Sequence, residues 1–143
     1  MEILKFATLS RALGLQGEDI LFKKKCLFDR VYNYWSRSKT LNREITFVME
    51  NDELEINIPQ CDFHCFSKTK IKFIGNQPIA EIAFCIKQKD DIIKFAVFHI
   101  DSDNTMTIPS RPEAPSISID YADNLENHFM DELVKAAVKA QLL

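Results

Sequence analysis

Residues 79–100 read IAEIAFCIKQKDDIIKFAVFHI, two runs of period two joined by a polar turn. Between Ile79 and Lys87, Ile82, Phe84 and Ile86 fall on one side and Ala83 and Cys85 on the other. Successive side chains of an extended chain point to opposite faces, so this spacing predicts a strand. Lys89-Asp90-Asp91 supplies the turn. Ile92–Ile100 follows as the most apolar strand, hydrophobic on both faces, and is expected at the centre of a sheet with cover on each side. If a second copy supplied that cover, Ala83, Cys85, Phe98 and Ile100 would line the dimer face.

The same period extends outward from this pair. Upstream, Ile45, Phe47 and Met49 alternate with Thr46 and Val48, Asn51-Asp52 turns the chain, and Leu54, Ile56 and Ile58 alternate until Pro59 stops the run. This is a hairpin pattern. Phe63–Ile74 continues it, with Ile71 and Phe73 facing inward between Lys70 and Lys72, and Gly75-Asn76-Gln77-Pro78 is the next turn. Downstream, Asp101-Ser102-Asp103-Asn104 leads into Thr105–Ile108. Pro109, Pro112 and Pro115 then bar the following segment from a central strand. Ser116–Asp120 is expected as an edge strand. Strands in sequence with short turns predict an antiparallel meander.

On either side of the strands the period lengthens to that of a helix. Residues 2–13 predict one helix, ended by Gly14 in a left-handed cap. Glu18–Ser36 predicts a second, in which Ile20, Leu27, Phe28 and Val31 share an apolar arc with Trp35. Lys24 points into that arc and is expected to pass its ammonium out to water. A last helix is expected from Asp123 to Leu142, with Asp123 and Glu126 as a capping pair and Lys135 and Lys139 near its C-terminus. The predicted fold class is α+β: two N-terminal helices, an antiparallel meander sheet of about five to six strands, and a C-terminal helix packed on the sheet. Residues 1–143 are expected to form a single α+β domain, a usual domain length.

Composition narrows the class. The chain is 46% hydrophobic and 27% charged, ordinary values for a folded soluble domain. No apolar run reaches the roughly 18 residues of a membrane helix, and no basic region precedes an apolar stretch at the N-terminus, so no membrane association and a cytoplasmic location are expected. Cys26, Cys61, Cys65 and Cys85 are then expected as free thiols. Three glycines argue against Gly-rich phosphate loops.

Candidate chemistry is sparse. Cys61-Asp62-Phe63-His64-Cys65 holds good zinc ligands, but zinc sites need a second ligand pair and none follows. On one extended strand Cys61 and Cys65 would also lie about 13 Å apart, too far for a disulfide. Asp101-Ser102-Asp103-Asn104-Thr105 resembles the start of a calcium loop without its later Gly and Glu. No Cys–His motif, catalytic residue, metal or cofactor is assigned. An enzymatic reading would need a pocket between sheet and helix, with His64, His99 and Phe95 as its lining.

Charge points elsewhere. Residues 1–72 carry 12 Lys and Arg against 10 Asp and Glu, whereas residues 73–143 carry 6 against 11, giving a net charge of −3. That balance disfavours nucleic acid. It favours a non-catalytic protein-binding module that presents Asp90, Asp91, Asp101, Asp103, Asp123 and Glu126 to a basic protein partner. The chain is expected as a monomer or homodimer. In size, acidity and layout, with no shared motif, it is similar to bacterial immunity or inhibitor proteins and to secretion chaperones. A chaperone would expose an apolar groove or a sheet edge.

Overall fold

A computed structural model describes residues 5–38, 41–109, 111, 113, 116–119 and 124–143 of the chain, with the backbone alone for 41 and 42. It has the expected α+β architecture. Seven strands form one antiparallel sheet in strict chain order: β1 (Thr46–Glu50), β2 (Glu53–Ile58), β3 (Phe63–Ile74), β4 (Gln77–Gln88), β5 (Asp91–Ile100), β6 (Thr105–Thr107) and β7 (Ile117–Ser118). The count exceeds the five to six expected because the short segments on either side of the Pro-punctuated stretch, 105–107 and 117–118, both pair as strands. The hairpins are tight. Asn51 and Asp52 both hold positive φ between Glu50 and Glu53, the geometry a two-residue turn needs to match strand twist. Gly75, at φ 63°, serves the β3–β4 turn.

The helical elements are α1 (Phe6–Ala12), α2 (Glu18–Ser36), the single turn α3 (Leu41–Glu44) and α4 (Leu125–Lys139). The expected break at Gly14 does not occur. Residues 13–17 continue the helix with the wider π hydrogen-bonding pattern, and the junctions on both sides remain right-handed helical. Nothing opposes this, because a glycine tolerates a helix interior at a cost of only about 1 kcal/mol. α4 starts two residues later than expected, and Asp123 lies outside the described residues.

α2 and α4 cover one face of the sheet. Four rings lock them to it: Phe98 stands 4.6 Å from Phe129 of α4 between ring centroids, and Phe84 lies 5.7 Å from Phe129 and 6.3 Å from Phe28 of α2. Each such pair adds about 0.5–1.5 kcal/mol beyond its buried area. Phe98 and Ile100 are therefore core residues beneath helices and do not line a dimer face with Ala83 and Cys85. Lys24 does not reach water either. It is 4% exposed, with its ammonium on Glu53 Oε1 and the Asp52 carbonyl and 4.8 Å above the Phe28 ring.

Two expectations for β5 fail. Among the described residues, helices cover only one of its faces. Its outer edge, moreover, meets β6 at two positions alone, His99↔Thr107 and Ile100↔Met106. β6 is three residues long and Pro109 follows it closely, so among the described residues no strand continues along 91–98. A proline lacks the N–H that a ladder needs.

Candidate functional site

Both surfaces of interest lie on β5. The first is the sheet face that the helices leave open. Ile79, Ala83 and Cys85 are buried there yet stand apart from the helix-packed core cluster. Strand register arranges this face in rows. Phe66 of β3 is level with Cys85 of β4 and Lys94 of β5; Lys68 is level with Ala83 and Val97; Lys70 is level with Glu81 and His99. Lys68, Lys70 and Lys72 share the face because they alternate along β3. The small Ala83 and Cys85 form a low floor between these long side chains, and a pocket of about 380 Å³ opens over them.

Glu81 is the hub of this face. Its side chain is 7% exposed, yet it carries a charge. His99 Nε2 lies 3.1 Å from Oε2, Lys72 Nζ 3.4 Å from the same oxygen, and Lys94 and Lys70 Nζ 3.7 and 4.0 Å from Oε1. Burial alone would raise its carboxyl. The hydrogen bonds from His99 and Lys72, with the charges of Lys72 and Lys94, more than offset this and hold it below the usual 4.5.

The second surface is a groove of about 590 Å³ between β5 and the C-terminal end of α4. Ile93 and Phe95 line it from the strand, and Ala136, Ala140 and Leu142 from the helix side. Its cations are Lys139, Lys94, which also reaches Glu81 on the open face, and Arg111, which is bound to Glu132. The register slips between Phe84 and Cys85, so that Phe95 has no partner on β4. This is a bulge, and it turns Phe95 toward the covered side against Phe63, 5.9 Å away.

The residues singled out in the sequence are dispersed. Asp90 lies in the β4–β5 turn and Asp91 opens β5, whereas Asp101 and Asp103 lie in the β5–β6 turn at the other end of this ten-residue strand, about 30 Å away. The Asp101 carboxylate is engaged within its own turn, accepting from the N–H groups of Asp103 and Thr105 at 2.9 and 3.0 Å. Glu126 is bound by Arg30 of α2 at 2.8 Å. These residues do not form one patch. His64 is exposed near Glu55, His99 belongs to the Glu81 cluster, and Phe95 lines the groove, so the three do not share a pocket.

The thiols are equally scattered. Cys61 lies in a 3₁₀ turn started by Pro59, outside the strand that was expected to carry it. Cys65 faces the helix-covered core, where burial pushes its thiol up to about 12 despite a hydrogen bond to the Ile56 backbone. Cys85 is raised too, by burial, against the lowering charges of Lys68 and Lys94. It lies four residues along the sheet from His99, about 13 Å, beyond proton-transfer reach. Among the described residues no three His, Cys, Asp or Glu side chains gather as metal ligands, and no helix is long and apolar enough to cross a membrane.

The sequence reading missed Glu81 and its lysines. The Lys68-x-Lys70-x-Lys72 alternation was the available signal, as was a carboxylate inside an apolar run. Comparison of the chain with protein-family models, with curated proteins and with solved structures finds no match.

Proposed function

We propose that the chain is a non-catalytic protein-binding module that seats an extended, acidic segment of its partner along β5, in the groove beside α4. The observation that carries this reading is the outer edge of β5 at 91–98, which has no neighbouring strand among the described residues and opens onto a groove of mixed apolar and basic lining. Unpaired strand groups offer hydrogen bonds to any extended chain, and alternate side chains of that chain would enter the groove. Lys94 and Lys139 favour carboxylates on it. The bulge at Phe95 keeps each uninterrupted stretch short, so affinity must come from the groove as well as from backbone pairing. An inhibitor or immunity role and a chaperone role are both uses of such a module. The partner's sign is opposite to the one composition suggested, because the acidic residues lie at separate places while the groove's exposed charges are basic.

The test is fluorescence anisotropy with extended peptides that alternate apolar with acidic, or apolar with basic, residues. Acidic peptides are expected to bind, Ala136→Trp to fill the groove and weaken them, and Lys139→Glu to do the same. Amide hydrogen exchange at 92–98 is expected to slow in the complex. Equal binding of basic peptides, no binding of either, or edge amides that stay unprotected would overturn the reading.

A further inference from the structure

We infer that the open face of β3, β4 and β5 is an oxyanion site that takes the phosphoryl group of a small phosphorylated ligand. The groove and this face share Lys94, whereas Lys68 and Lys70 belong to this face alone. A charge excess in the wrong place is the starting point. The chain as a whole carries −3, yet this face gathers Lys70, Lys72 and Lys94 around the carboxylate of Glu81, with Lys68 in the next row.

One buried carboxylate is neutralised by one cation. Glu81 has three lysines within 4.0 Å and an imidazole at 3.1 Å. The surplus cannot be explained by Glu81 itself. What the carboxylate does is hold the lysine ammoniums convergent at a fixed place on a rigid sheet, in advance of any ligand. Lys68 stands beside them, its ammonium 5.8 Å from the centre of the Phe66 ring. Lys70, Lys72 and Lys94 remain about half exposed or more, so each keeps hydrogen-bond donors open to solvent.

The shape agrees with the charge. Ala83 and Cys85 leave room between the long side chains, and the 380 Å³ opening suits a small molecule. Lysines bind phosphate as point charges and need no fixed fork geometry, which suits an open face of flexible stems. A doubly charged phosphoryl group would meet the excess that Glu81 leaves.

The probe is inorganic pyrophosphate, with inorganic phosphate alongside, titrated at constant ionic strength and followed by calorimetry and by backbone amide shifts. Saturable binding is expected, with shifts centred on residues 66–70, 81–85 and 94–99. Lys68→Gln with Lys70→Gln should weaken it about tenfold or more, since two of the converging charges are lost. Lys25→Gln with Lys89→Gln makes the same charge change at exposed positions elsewhere and should leave it unaltered. Both double variants are checked by circular dichroism, and neither touches a buried residue. Absence of saturable binding, or equal weakening in the two variants, overturns the proposal. So does binding to vesicles containing phosphorylated lipid, or to an oligonucleotide, without binding to pyrophosphate.

Discussion

Replacing Glu81 by Gln keeps the shape of the side chain and removes its charge, so it isolates what the carboxylate does for the sheet. The lysines of these pairs are about half exposed or more, at 49, 51 and 68%, and with ammoniums so open to water each pair contributes about 0.2–1 kcal/mol. The His99 contact, with both side chains largely buried, adds a hydrogen bond of about 1 kcal/mol. Opposing these is the cost of keeping a carboxylate at 7% exposure, which takes back a substantial part. The expected net loss in Glu81→Gln at pH 7 is about 1–2 kcal/mol. For a domain of this size it corresponds to a fall in Tm of about 3–8 °C. The sign with pH follows from the depressed carboxyl. A group whose folded pKa lies below its unfolded value stabilises fully above the unfolded value, and that contribution is lost as pH falls through the folded one. The gap between the natural chain and Glu81→Gln should therefore be complete at pH 7 and close progressively below pH 4.5. Urea unfolding at pH 7, 5, 4 and 3 measures it. A variant as stable as the natural chain at pH 7, or a gap unchanged at pH 3, would show that desolvation outweighs the ion pairs and that Glu81 does not organise the lysines.

Two further outcomes test the fold around this face. Phe129→Ala removes the ring that touches Phe28, Phe84 and Phe98, and a loss of about 3–5 kcal/mol in urea unfolding is expected; a loss under 1 kcal/mol would mean that α4 does not close the core. In native protein at pH 8, iodoacetamide should modify exposed Cys61 rapidly and leave Cys65 untouched until the chain unfolds, and peptide mass spectrometry reads both.

The strands were legible because alternation is a local property. Residues 45–58, 63–74 and 79–100 each declare a buried face by period two, and the turn residues between them fix chain order, so the meander follows from neighbours in sequence. The last helix was legible for the same reason, with apolar spacing and terminal charges in agreement. Gly14 misled because a helix stop depends on what the next residues find to pack against, and glycine permits either outcome. Lys24 misled because its partners, Glu53 and the Asp52 carbonyl, lie across the fold. Asp101 and Glu126 looked like free surface charge, and each is bound to its own turn or to the facing helix.

The sequence alone determined the class of this protein, its chain order and the residues available for each face. Register and cover were left to the tertiary structure. Lys70 and Glu81 stand eleven residues apart, and Glu81 and His99 eighteen; only antiparallel pairing puts them level. Which face the helices cover decides whether Ala83 is core or floor. That no strand among the described residues pairs with β5 along 91–98 depends on how soon Pro109 stops β6. Each is a contact between segments distant in sequence, set by packing the whole chain at once, and a local period carries no information about it.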